Sequence, residues 1–226
     1  MRRALSSAVV LLAFFTLCGS VYASSGTFMD FQGIHDLQAV GDFYNGAGLA
    51  NTPNYGVSFS SNFLAMRSFF GPNPGSGNFA PPPLGTPAIF MNGSVGSNIT
   101  GTMNVAPGFS NGINFFFTAG FTGNQVETVK VWSGANGTGT VLATITLANN
   151  NAGCKSPAYC MWSNAGATFT GTAHSVTFSG PADELGLADI TLGGSTTAIP
   201  EPSTWYMLGT GVVSISLSQL RRFFKT

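Results

Sequence analysis

Charge is scarce in this chain. It has 8 Lys plus Arg and 8 Asp plus Glu among 226 residues. Five of the basic residues, Arg2, Arg3, Arg221, Arg222 and Lys225, stand at the two ends. Between them lie only Arg67, Lys130 and Lys155, against Asp30, Asp36, Asp42, Glu127, Asp183, Glu184 and Asp189 in the body and Glu201 beyond it. A mildly acidic body of this kind offers no field for a phosphate backbone, which excludes nucleic acid as the expected partner. Histidine is nearly missing: His35 and His174 are far apart and lack the spacing of a zinc site. Cysteine is rare as well, and Cys18 falls in the N-terminal segment just after an apolar run, so the body keeps only Cys154 and Cys160. No amphipathic helix of useful length can be read in the body.

What is present begins at the termini. Arg2 and Arg3 precede an apolar run over Ala8–Leu17, and Val21-Tyr22-Ala23 supplies a small residue before Ser24. This is the pattern of a signal peptide over 1–23, cut by signal peptidase after Ala23. Leu17 directly before Cys18 is wrong for lipidation. At the other end the order is Pro200-Glu201-Pro202, a mostly apolar stretch at about 204–220, and a basic close over 221–226 with Arg221, Arg222 and Lys225. The prolines refuse helix. The apolar stretch suits one membrane crossing in contact with lipid, with the basic end as a cytoplasmic stop.

The tail, PEPSTW followed by a Gly-containing apolar run and Arg-Arg, resembles a PEP-CTERM sorting domain. The likeness covers 199–226, within a tail segment taken as 196–226, and departs from the usual pattern at Ser214, Ser216, Ser218, Gln219, Phe223 and Phe224. It implies a bacterial envelope protein that is recognised at Pro200, Glu201 and Pro202 by a membrane protease of the exosortase type. It also implies inner-membrane anchorage first, then transfer to the cell surface or beyond.

The segment 24–195 is then an exported body, long enough for one domain with its own core. Cys154 and Cys160 are expected to pair in an oxidising compartment and brace a short excursion containing Pro157. The 30 Gly and 12 Pro punctuate short runs of alternating character, while 20 Phe supply a core. Strands are expected at Thr27–Phe31, Tyr55–Ser60, Leu64–Phe70, Ala88–Met91, Thr102–Ala106, Ile113–Thr118, Ser175–Ser179 and Glu184–Leu192. A hairpin joins Val129 and Val131 to Val141–Leu147 through SGANGTG. In the last strand, a bulge near Ala188-Asp189 would bring Leu185, Leu187, Ile190 and Leu192 to one face. The expected fold is all-β, an antiparallel two-sheet β-sandwich of jelly-roll type, followed by the single C-terminal transmembrane helix.

Chemistry is thinly supplied. Gly108-Phe109-Ser110-Asn111-Gly112 fits G-x-S-x-G, and Glu127 and His174 follow in order. That motif needs a strand before the serine and a helix after it. Here Pro107 precedes and a strand-like run follows, so a turn between strands is expected and no catalytic residue is assigned. Asp183 and Glu184 are adjacent and read as solvating a turn after Pro181. Asp30 and Asp189 stand in the first and last strands, which are expected to be neighbours. A structural calcium shared by these two carboxylates is the one cofactor considered. Trp132, Tyr159 and Trp162 are candidates for stacking on a sugar, against the ordinary alternative of core packing. The expected function is a non-catalytic envelope or extracellular-matrix protein associated with exopolysaccharide or biofilm. The alternative is a secreted hydrolase acting on glycans through a site that carries no recognisable motif.

Overall fold

The computed structural model describes residues 26–46, 52–95, 97–120 and 125–193. The signal peptide read at 1–23 lies outside the described residues. So does the C-terminal signal with Pro200, Glu201, Pro202, Arg221, Arg222 and Lys225. Among the described residues no helix is long and apolar enough to cross a membrane.

Nine strands are found among the described residues: β1 (Thr27–Met29), β2 (Val57–Phe59), β3 (Phe63–Met66), β4 (Ala88–Met91), β5 (Asn98–Ala119), β6 (Glu127–Trp132), β7 (Val141–Leu147), β8 (Ser163–Pro181) and β9 (Leu185–Leu192). They pair antiparallel throughout, in the order β3-β4-β9-β5-β8-β6-β7, with β1 on β9 and β2 on β5. Two strands are far longer than the rest: β5 has 22 residues and β8 has 19. The first part of β5 pairs with β2 and with the last part of β8, which also carries β6. The second part of β5 pairs with the first part of β8 and with β9. Both long strands therefore run from one layer of the sandwich into the other. The first layer is β2, β5, β8, β6 and β7, and the second is β8, β5, β9, β1, β4 and β3.

The passage between layers is a bend in β5. Its register against β8 shifts between Asn104 and Phe109, and again between Phe109 and Asn111. Pro107 cannot donate to a ladder. Gly108 and Asn111 have φ of 73° and 74°, in the left-handed region that glycine and asparagine tolerate best. The G-x-S-x-G segment is thus a kink inside one strand, where the sequence suggests a turn between two. The expected pair of sheets is one hydrogen-bonded surface folded on itself.

The core fills the space between layers. Phe178 of the first layer meets Phe63 and Phe115 of the second, with ring centroids 5.7 Å and 6.1 Å apart. Gly101 is required here, because a Cβ would fall on the Phe63 ring and the Met91 sulfur. In β9 the foreseen bulge is present at Asp189, φ 55°, opposite a register shift between Asn114 and Phe116. The extra residue resets the alternation, so Leu185, Leu187, Ile190 and Leu192 are all buried.

Candidate functional site

The outer face of the first layer is built by strict alternation. In β6, Glu127, Val129 and Val131 point inward, which sends Thr128, Lys130 and Trp132 outward. Register then aligns three ranks across three strands. Thr128, Ser179 and Thr100 form one; Lys130, Thr177 and Thr102 the next; Trp132, Ser175 and Asn104 the third. Side chains on neighbouring strands bond within a rank and diagonally between ranks. The Thr100 and Ser179 hydroxyls are 2.8 Å apart, and Trp132 Nε1 donates to Thr177 Oγ1 at 2.9 Å. Lys130 Nζ lies 5.9 Å from the Trp132 ring centroid, so the cation is held toward the indole.

The hairpin loop walls one end of this face. Ala135–Gly137 form a single short 3-10 turn, with Asn136 at φ 55°. Asn136 exchanges two hydrogen bonds with Asn104: its amide N–H donates to Asn104 Oδ1 at 2.7 Å, and Asn104 Nδ2 donates to Asn136 Oδ1 at 2.8 Å. Gly137 N donates to Ser175 Oγ at 2.9 Å. The result is a trough of about 490 Å³ lined by Thr100, Thr102, Thr128, Lys130, Trp132, Asn136, Gly137, Thr177 and Ser179. Its lining offers hydroxyls, an amide, one ammonium and one indole, and no carboxylate.

The other residues singled out in the sequence lie elsewhere. Cys154 and Cys160 are joined as a disulfide, as expected. The pair braces a loop laid over the outer face of the second layer. Ala80 N donates to Tyr159 O at 2.8 Å, and Trp162 Nε1 donates to Ala80 O at 2.7 Å while its ring packs edge-on to Phe79. Trp162 is therefore part of the cover, and only Trp132 of the three aromatic candidates lines the trough.

Asp30 and Asp189 are brought together. β1 and β9 pair as far as Met29 and Ile190. Asp189 is buried, and burial raises its carboxyl pKa, with the Asp30 charge adding to the rise while the Thr86 hydroxyl and Leu84 amide oppose it. Oδ1 accepts from Thr86 Oγ1 at 2.8 Å, and Oδ2 is buried with no hydrogen-bond partner. That orphaned oxygen beside a second carboxylate fits a hard cation. Among the described residues no third Asp, Glu, His or Cys joins them, so backbone carbonyls and water would complete the roughly six to eight oxygens calcium takes.

The apparent hydrolase residues stay apart. Ser110 is at the exposed bend of β5, while Glu127 is wholly buried in β6, opposite Leu147. Along β8, His174 is beside the bend and Gly180 against Glu127, roughly 20 Å away at the rise of an extended strand. Asp183 and Glu184 do lie in a turn after Pro181. They are not simply solvated there: Glu184 Oε2 accepts from the Tyr159 hydroxyl at 2.9 Å, and Asp183 Oδ1 is buried without a partner.

No family model and no curated protein matches this chain. Solved structures do resemble it. A cleaved adhesin domain of Lys-gingipain from Porphyromonas gingivalis is 12% identical, with a TM-score of 0.38, over 76% of this chain and 92% of that one. A family 29 carbohydrate-binding module is 14% identical, with a TM-score of 0.37, over 79% of this chain and 97% of that one. A family 11 carbohydrate-binding module from Clostridium thermocellum, solved with a mixed-linked tetrasaccharide, is 11% identical with a TM-score of 0.36, over 77% of this chain and 97% of that one.

The chemistry of the trough rests on its own residues. Sequence reasoning found Trp132 but missed Lys130, Asn136 and the threonines around it. The available signal was the shared parity of Thr100, Thr102, Thr128, Thr177 and Ser179 in their strands. Only the cross-strand register makes them neighbours.

Proposed function

We propose that this chain is an exported bacterial envelope protein, sorted through a PEP-CTERM-like tail, whose sandwich holds extracellular polysaccharide without cleaving it. The observation that carries the reading is the trough with Trp132 on its floor. An open, hydroxyl-lined channel can trade hydrogen bonds with the many hydroxyls of a sugar chain, and an indole offers an apolar face to a pyranose ring. Glycoside hydrolysis uses two carboxylates about 5–9.5 Å apart, and the lining of the trough has none. The Cys154–Cys160 bond suits an oxidising location outside the cytoplasm.

In this reading the body is a sandwich of jelly-roll type whose first and last strands meet, and Asp30 and Asp189 hold a structural calcium between them. Signal peptidase releases Ser24. A helix at about 204–220 holds the chain in the inner membrane until an exosortase-type protease acts at Pro200-Glu201-Pro202.

The test uses the full chain expressed in an exopolysaccharide-making host, comparing wild type with Trp132→Ala. Polymer co-purifying with the protein should fall about tenfold, the size of one lost stacking contact. Equal retention by Trp132→Ala and by Lys130→Ala removes the trough from consideration, and shortened polymer with new reducing ends favours the hydrolase. In the same strains, Ala at 200–202 should leave an uncut C-terminus in the membrane fraction. A wild-type C-terminal mass in that variant removes the sorting reading.

A further inference from the structure

The outer face of the second layer holds a different kind of cavity. It encloses about 320 Å³ between the sheet and the loops that cover it. Met66, Ala88, Phe90, Leu185 and Gly186 supply the sheet side, and Phe79 and Tyr159 come from the cover. The size and the mostly apolar lining are those of a small-molecule pocket. The cover is firmly built: Asn151 Nδ2 donates to Thr118 Oγ1 at 2.8 Å, and the disulfide closes the loop that carries Tyr159.

The polar lining of this pocket is Asn78, Asn92, Thr118, Tyr159 and Asp183, of which only Asp183 is charged. Asp183 lines it, and its Oδ1 is buried with no hydrogen bond from the protein. Glu184 lies next to it, already engaged by Tyr159. No Lys, Arg or His lines the cavity. A buried carboxylate oxygen without a donor is costly, and an arriving cation offsets that cost. Three aromatic side chains, Phe79, Phe90 and Tyr159, line the same space, and aromatic faces attract cations.

We propose that this pocket binds a small organic ammonium compound: an apolar body seated among Met66, Phe79 and Phe90, with its positive nitrogen toward Asp183. The site is separate from the Trp132 trough and does not depend on it.

The probe is 2-phenylethylamine, titrated calorimetrically into the full chain held in phosphatidylglycerol nanodiscs, with phenylacetate and glucose as matched controls. The amine should bind saturably, with phenylacetate and glucose weaker by about tenfold or more. Asp183→Asn should lose about tenfold for the amine. Asparagine accepts the φ of 62° at this position, so the turn is kept. Phe90→Leu, which preserves apolar volume, should weaken the amine by removing a ring, while Trp132→Ala should leave it unchanged. Equal affinity for amine and phenylacetate, an unaffected Asp183→Asn, or no saturation with the amine overturns the proposal.

Discussion

The two outer faces of the sandwich share one backbone rule and differ in what lies over them. On the first layer, among the described residues, a short hairpin loop stands above the sheet, and the outward positions lining the trough are Thr, Ser, Asn and Lys around one Trp. On the second layer two loops cover the sheet, and the outward positions near them are apolar: Ala88 is buried and Phe90 half-buried. Alternation decides only which side chains leave the core. Whether they then need hydroxyls or hydrocarbon depends on the cover, and the cover here comes from segments distant in sequence.

That contrast can be tested from inside the core outward. The largest expected effect comes from Glu127, which is wholly buried under the first layer with neither carboxylate oxygen bonded. Burial pushes its pKa from 4.5 up to about 8. A raised carboxyl pKa means the folded protein prefers the protonated form. Stability should therefore be greatest below the unfolded value of 4.5, fall as pH rises toward 8, and level off above it. The difference is on the order of 5 kcal/mol at most. Urea titrations across this range should show the slope, and Glu127→Gln should flatten it. Amide exchange in alkali should rise first in β6 and β7 beneath the trough and leave the covered face protected. A flat wild-type profile contradicts this.

Phe178→Ala should cost about 3–5 kcal/mol, because this ring of the first layer packs on Phe63 and Phe115 of the second and its loss leaves a cavity. Denaturant unfolding should show one transition at lower midpoint, with both faces lost together. Two separated transitions would make the faces independent units. Replacing Cys154 and Cys160 with Ser should cost about 2 kcal/mol and act on one face only. Protease nicking should appear in the 150–162 loop, with the Trp132 fluorescence environment retained. Smallest is the effect of chelator. If Asp30 and Asp189 share calcium, removal should lower stability by about 1 kcal/mol, and Asp189→Ala should be insensitive to it. Identical melting of wild type with and without chelator ends that assignment.

Much of the sandwich was legible because local signals are strong where strands are short. Ala88–Met91 was placed to the residue, the 127–147 hairpin came from its glycine-rich loop, and the β9 bulge came from a break in parity at Ala188-Asp189. The long strands were not legible. Pro107 and Gly108 look like the end of a strand, and they are a bend within β5. The first part of β8, SNAGATFTGT, alternates half-buried with exposed residues that are mostly small, so no hydrophobic period announces it. The pairing of Asp30 with Asp189 followed from the meeting of terminal strands. The trough and the Tyr159 pocket did not, since each is assembled from register or from loop placement that no single segment encodes.

The position of β9 has a mechanical consequence. Leu192 pairs with Thr27 on one side and Ile113 on the other, so the last strand of the body is gripped along both edges. A tension applied to the chain beyond it runs parallel to the strand. Its hydrogen bonds to β1, β4 and β5 are then loaded together in shear instead of opening one after another like a zip. The described body is therefore built to resist a steady pull applied at the end of β9.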